Sequence, residues 1–328
     1  MTSKPYSTTR RPDAAVSGIA PRGKGQRTMA DPSAILSSWA KQGAVTTAKK
    51  TADSVRAALK AWQFPSGVAY DVYLQGSYRN DTNIRGDSDV DVVAELHSTF
   101  HHNVAELPVD QQRAFHAAFL NAAYSGSDFR RDVTAALAAY YGASGVDASG
   151  NKSITIKARD GYLPADLVPC TTYRHYSRFL EADQSSFVER IRLCTLDGTT
   201  VVNFPKRHYD NGCSKSDATG GEYKPTVRVF KNARTWMVEN GGLQDGVAPS
   251  YFVECLLYNA PSALYVSDYT KSFPAITRSL QHASLDDMLC QNGVTKLFGS
   301  GNTQWSVTKA QTLLSSLESL WKAMTANA

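Results

Sequence analysis

With 328 residues, 42% of them hydrophobic and 20% charged, the chain can bury the core of one large domain or of two lobes around a cleft, and no run approaches the roughly 18 apolar residues of a membrane-spanning helix. The net charge of +5 lies almost entirely in residues 1–31, where Lys4, Arg10, Arg11, Arg22, Lys24 and Arg27 stand against Asp13 and Asp31, leaving about +1 for the rest. A body so nearly neutral argues against a dedicated duplex-binding face, which needs clustered Lys and Arg.

Residues 1–30 are rich in Ser, Thr, Arg, Gly, Ala and Pro without a hydrophobic period, so a disordered basic tail is expected. Asp31-Pro32-Ser33 predicts a helix start capped by Asp31. Ile35, Trp39, Ala44, Ala48, Ala52, Val55, Leu59 and Trp62 then recur at roughly helical spacing. They predict one long N-terminal helix, bent at Gly43, that braces one side of the molecule until Pro65-Ser66-Gly67 ends it. Val68, Tyr70, Val72 and Leu74 alternate as a strand leading into Gly76-Ser77, and Asp81 to Gly86 are turn-prone. Ser88 to Leu96 return to strand, with Val90 and Val92 on one face and Asp89 and Asp91 on the other.

Residues 109–141 read as helical, and Gly142 to Gly150 as a loop. Ile154 and Ile156 mark a strand, and Tyr162 to Val168 another that carries Asp166. Residues 171–195 show no clear pattern, and Val201 to Phe204 look like a further strand. Asp210 to Glu222, with three glycines, predict a mobile loop, which would place His208 and Cys213 at the surface. Val229, Trp236, Met237, Phe252, Leu256 and Leu257 have helical spacing, and Leu313, Leu314, Leu317, Leu320 and Trp321 mark a final helix. The order, helix, then mixed strands and helices, then mostly helices, gives an α+β class. The five cysteines are widely spaced without a C-x-x-C pair, against a disulfide framework or a structural zinc site. Free thiols in this number, and the lack of a secretory apolar block in the first thirty residues, suit the cytoplasm.

The informative segment is Gly76-Ser77 followed, one polar loop later, by Ser88-Asp89-Val90-Asp91. On a strand, residues i and i+2 share a face, so the two carboxylates project together and can converge on one hard cation such as Mg²⁺. A D-x-D on its own is most simply a solvated strand edge. Here Val residues flank it in a strand expected to be half-buried, where two like charges repel each other unless a cation compensates. Gly76 lets the backbone approach a phosphate closely, and the Ser77 hydroxyl can donate to it.

The pattern of G-S, a polar loop, S-D-V-D and a later strand aspartate in A-D-L-V-P resembles polymerase-beta-like nucleotidyltransferases. LQGSYRNDTNIRGDSDVDVV, ADLVPC, KPTVRVFKNAR and PSYFVECLLYN look more closely like the bacterial cGAS/DncV-like nucleotidyltransferases of anti-phage cyclic-oligonucleotide signalling, from about residue 31 onward. The resemblance implies a nucleotidyltransferase core over 31–205, a helical lobe over 206–328 and an active site in the cleft between them. It implies that Asp89 and Asp91 hold two Mg²⁺ ions (Mn²⁺ as substitute) and that Asp166 joins the ion activating the attacking ribose hydroxyl. Gly76 and Ser77 would bind the donor triphosphate, Lys231 and Ser250 would reach its phosphates from the second lobe, and Tyr251 would stack on a base. Read from chemistry alone, the alternatives are that Lys231 is a solvated helix residue and Tyr251 a core aromatic. Asn203, in VVNFPKRH, sits where the family reads a base edge, and an Asn there goes with pyrimidine use. The implied substrates are ATP plus UTP or GTP, the implied product a cyclic di- or trinucleotide sensed by an effector protein. The animal sensor's zinc-binding insertion has no counterpart, against activation by double-stranded DNA. Two other readings use the same residues: a nucleotidyltransferase modifying an RNA or protein partner, and a binding module with a structural acidic cluster.

Overall fold

The computed structural model describes residues 31–43, 45–85, 89–301 and 303–326; the basic tail 1–30, Ala44, Gly86 and Ser88 lie outside the described residues. In chain order the elements are α1 (Pro32–Trp39), α2 (Thr46–Lys60), β1 (Tyr70–Leu74), the short α3 (Gly76–Arg79), β2 (Val90–Asn103), α4 (Val109–Ala118), α5 (Gly126–Tyr141), β3 (Val146–Asp147), β4 (Ile154–Ile156), β5 (Ala165–Phe179), β6 (Ser185–Leu193) and β7 (Val202–Asn203). Among the described residues five α-helices follow: α6 (Pro205–Asp217), α7 (Tyr223–Glu239), α8 (Ser250–Tyr258), α9 (Tyr269–His282) and α10 (Val307–Thr325).

All strands join one mixed sheet. β2 and β5 run parallel, and every other pairing is antiparallel, β1 on β2, β4 and β6 on β5, β3 on β4, and β7 on β6. β5 is long enough to hold two partners in succession: Ala165–Leu167 face β4 and Cys170–Phe179 face β6. Val90, Val92, Ala94 and Leu96 of β2 are fully buried against Ala52, Val55 and Leu59 of α2 and Phe129, Val133 and Leu137 of α5. Full burial of each large apolar side chain stabilises by about 1.5–3 kcal/mol, so this face anchors β2. The second lobe has its own core, in which α7, α8, α9 and α10 interleave Phe230, Leu256, Ile276, Leu313 and Leu317. Among the described residues no helix is long and apolar enough to cross a membrane.

Several elements differ from their sequence expectation. The Asp31 carboxylate caps α1 as expected, accepting from Ser33 N at 3.1 Å. The long helix beyond it is two helices, because Gly43 N donates to the Asn83 carbonyl at 3.2 Å and Gln42 Nε2 to Asn83 Oδ1 at 2.8 Å. The backbone there is satisfied by another segment, so the helix breaks. Its halves serve different cores: Leu36 and Ala40 pack with the second lobe, Ala52 and Val55 under the sheet. The helix expected over 109–141 is also interrupted. Ser125 Oγ accepts from Asp128 N at 3.1 Å and Asp128 Oδ2 from Ser125 N at 3.0 Å, a reciprocal cap that starts α5 afresh. The strand expected over 88–96 is described from Val90 and runs on to Asn103, and that expected over 162–168 begins at Ala165. Residues 171–195 form most of the β5–β6 hairpin.

The stretch 210–222 is not a loop but largely α6. Gly212 lies flat against the Gln291 side chain, where a Cβ would collide, and Gln291 Nε2 donates to the His208 carbonyl at 2.8 Å. Tertiary contact thus holds a segment of weak helix formers in a helix.

Candidate active site

β1 delivers the chain to Gln75, whose N–H donates to the Asp91 carbonyl at 2.9 Å and so pins the start of α3 to β2. Gly76 has φ +65°, a left-handed conformation that glycine adopts without strain. A Cβ at this position would collide with Asp91 Oδ2, so the missing side chain is the space in which that carboxylate sits. The turn continues through Asn80 N to the Gly76 carbonyl at 3.1 Å and Thr82 N to the Ser77 carbonyl at 2.9 Å.

Asp89 immediately precedes β2 and Asp91 is its second residue. In the parallel β2–β5 pair, Asp91 is in register with Asp166. Register partners of a parallel pair point to the same face, about 4.8 Å apart, so residues 75 positions apart in sequence become neighbours. Asp166 Oδ1 accepts from Thr155 Oγ1 of β4 at 2.6 Å, which fixes its orientation. All three aspartates line one cavity of about 1090 Å³. The same cavity is lined by Gly76, Ser77, Asn203, Lys231, Ser250 and Tyr251, so every site residue singled out in the sequence meets there. Its volume lies at the top of the usual range for small-molecule sites, with room for more than one ligand.

The far wall comes from the helical lobe. Ser250 opens α8, and its Oγ accepts from Arg234 Nη2 at 2.8 Å. Tyr251 is 44% exposed, which removes the core reading, and its ring stacks on His208 with centroids 5.4 Å apart and planes 24° apart. Asn203 is exposed at the end of β7. Lys231 is neither solvated nor directed wholly at the cavity: it is 1% exposed, with Nζ 2.9 Å from Glu254 Oε2, 3.1 Å from Thr82 Oγ1 and 3.3 Å from the Thr82 carbonyl.

Hard carboxylate oxygens are the donor type Mg²⁺ takes, usually from one or two carboxylates completed by substrate phosphates. The aspartates fit that demand, and the absence of a side chain at Gly76 leaves the room in which the Asp91 carboxylate sits at the cavity wall. Among the described residues no three His, Cys, Asp or Glu side chains close tightly enough to hold an ion alone, so an ion here would need ligands from the substrate.

Residues 210–322 match the family of cGAS/DncV-like nucleotidyltransferase C-terminal helical domains. The chain is 46% identical over 290 residues to the cyclic UMP-AMP synthase of Rhodothermus marinus, covering 88% of this chain and 97% of that one. It is 33% identical over 302 residues to the cyclic nucleotide synthase CdnE01 of Staphylococcus haemolyticus, covering 89% and 99%. The chain belongs to the cGAS/DncV-like nucleotidyltransferases. The solved structure of the Rhodothermus marinus CdnE c-UMP-AMP synthase with Apcpp and Upnpp superposes with TM-score 0.81 at 44% identity, covering 90% of this nucleotidyltransferase and 97% of that chain. The polymerase-beta-like core with a helical second lobe is thereby shared along nearly the whole described length.

Other residues of the nucleotidyltransferase's cleft carry no motif. His208, read from sequence as a surface residue, is buried on α6 with Nε2 3.1 Å from Glu254 Oε1. Glu95 is 0% exposed behind Tyr73 and Lys206, both of which line the cavity. Its carboxylate accepts from Tyr73 Oη at 2.7 Å and Thr172 Oγ1 at 2.8 Å, and lies 3.3 Å from Lys206 Nζ. Burial, with the neighbouring Cys170 and Glu95, pushes the Tyr73 phenol far above its usual range, so it stays a donor. The available signal was a lone acid inside an apolar run, Glu95 in Val92–Leu96 and Glu254 in Phe252–Leu257, since a buried carboxylate demands partners.

Proposed function

We propose that the chain joins and cyclises nucleoside triphosphates into a uridine-containing cyclic di- or trinucleotide, using two Mg²⁺ ions (Mn²⁺ as substitute) at Asp89, Asp91 and Asp166. The register pairing of Asp91 with Asp166, beside Asp89 on the cavity that also holds Gly76 and Ser77, carries this reading. The ions, when bound, would neutralise charge on the attacking and leaving oxygens. Ser77 would donate to the donor triphosphate from the turn that begins at Gly76, with Ser250 and Lys231 meeting the phosphates from the opposite wall. A ribose hydroxyl attacks the α-phosphorus and loses its proton on the Asp166 side, while the bond to pyrophosphate breaks. Positioning and charge neutralisation suffice for this step, so no covalent protein intermediate is needed. A second transfer closes the ring.

ATP plus UTP is the favoured substrate pair, with GTP as the alternative partner. Asn203 supports this choice, since its amide offers both a donor and an acceptor to a pyrimidine edge, and Tyr251 offers a stacking face tolerant of any base. The name of the Rhodothermus marinus relative, a cyclic UMP-AMP synthase, points the same way. The product would act in the cytoplasm as a second messenger for an effector protein in anti-phage defence.

Mass spectrometry of the phosphatase-treated mixture from all four NTPs and Mg²⁺ tests the proposal. A resistant, uridine-containing cyclic product is expected, with release of pyrophosphate. Label found only on an added RNA or protein would favour macromolecular modification, and a resistant product without uridine would remove the role of Asn203.

A further inference from the structure

Glu254 sits behind the cleft wall, 3% exposed, and collects donors from three other segments. Thr82 Oγ1 donates to its Oε2 at 2.8 Å, Lys231 Nζ to the same oxygen at 2.9 Å, and His208 Nε2 stands 3.1 Å from Oε1. Lys231, His208 and Glu254 belong to α7, α6 and α8 of the helical lobe, whereas Thr82 lies between α3 and β2 of the sheet lobe. Each donor is itself tied to something the cleft uses. Thr82 N donates to the Ser77 carbonyl at 2.9 Å, so Thr82 is part of the phosphate cradle. His208 is the platform on which Tyr251 stacks, and Tyr251 lies one turn before Glu254 on α8. Lys231 has its ammonium engaged by Glu254 and by both oxygens of Thr82. Burial alone would push the Glu254 carboxyl up, but Lys231 and His208 outweigh it and hold it well below the usual carboxylate range. A buried charge with this many donors is rigid, because losing any one leaves another group unsatisfied.

We propose that Glu254 is a positioning residue that, through Thr82, Lys231 and His208, sets the spacing of the two cleft walls so that Ser77 and Tyr251 grip the phosphates and the base of a bound nucleotide. The role rests on the reading of the cleft as a nucleoside triphosphate site. Phosphates arriving on Ser77 would meet, in Lys231, a cation whose place Glu254 has already fixed. The chemistry at the aspartates stands apart from the network, so the network acts on nucleotide binding and not on the transfer step.

Steady-state kinetics of Thr82→Val test this most gently, since the variant removes the hydroxyl that crosses between the lobes and leaves the Lys231–Glu254 pair intact. KM for the triphosphate is expected to rise about tenfold, the loss of a hydrogen bond to a charged group, with kcat within about threefold and melting near wild type. A merely structural role would lower the folded fraction, reducing apparent kcat at unchanged KM, and that result overturns the proposal. Should Thr82→Val fail to fold, Thr82→Ala removes the same hydroxyl without adding a second methyl group. The folded Thr82→Ala variant is expected to show the same rise in KM, and an unchanged KM again overturns the proposal. Asp91→Asn is run beside them. Full turnover by that variant would sink the nucleotidyl-transfer reading itself, whereas an inactive Asp91→Asn with unchanged KM in Thr82→Val sinks the positioning role alone.

Discussion

Asp91 and Glu95 stand four residues apart on the same face of β2, and their surroundings are opposite. Asp91 is half-buried on the cavity wall, beside its register partner Asp166, with its carboxylate seated in the space that a side chain at Gly76 would fill. Glu95 is sealed from water and surrounded by Tyr73, Thr172 and Lys206. One strand therefore carries a carboxylate exposed to ligands and a carboxylate committed to structure. The contrast teaches that acidity in an apolar strand is not itself a sign of function. What decides is whether the carboxylate lines the cavity, as Asp91 does, or is closed off behind other side chains, as Glu95 is.

The largest expected effect comes from the open end. Asp91→Asn or Asp89→Asn removes a charge that would hold the ions, and an ion worth several kcal/mol to the transfer step corresponds to about a thousandfold loss of product. Pyrophosphate release measures it, and melting should stay near wild type. Substantial product from either variant would break the comparison.

A smaller and opposite effect is expected at the sealed end. Glu95→Gln keeps the shape but leaves one of the Tyr73 and Thr172 hydroxyls without its acceptor, costing roughly 1–3 kcal/mol of stability. Urea unfolding reads that loss, while turnover per folded molecule should change little. A variant as stable as wild type but inactive would mean that Glu95 acts on the substrate, and the distinction between the two ends would fail.

The open end was legible in the sequence because its chemistry is local. Alternation placed Asp89 and Asp91 together and the Gly76-Ser77 turn precedes them by one loop, whereas Asp166, which meets them through the β2–β5 register, was reached only through the family resemblance. The network around Glu254 was not legible as a network, because its members meet only through tertiary structure. Thr82, His208, Lys231 and Glu254 come from four segments, and no spacing relates them. The same reason hid α6, whose Lys, Asn, Gly and Ser residues read as a loop until Gln291 and Glu254 are placed against it. It also hid the break after α1, since Asn83, which satisfies Gly43 and Gln42, lies forty residues further along the chain.

The central claim is that Asp89, Asp91 and Asp166 hold two divalent ions against a triphosphate on Gly76 and Ser77. A crystal structure with Mn²⁺ and a non-hydrolysable triphosphate, phased on the manganese anomalous signal, tests it most directly. Two anomalous peaks are expected, both touching Asp89 and Asp91 and one also touching Asp166, with phosphate oxygens within hydrogen-bond reach of Ser77. Manganese bound elsewhere, or a triphosphate seated away from Ser77 with no ion at Asp91, would contradict the account.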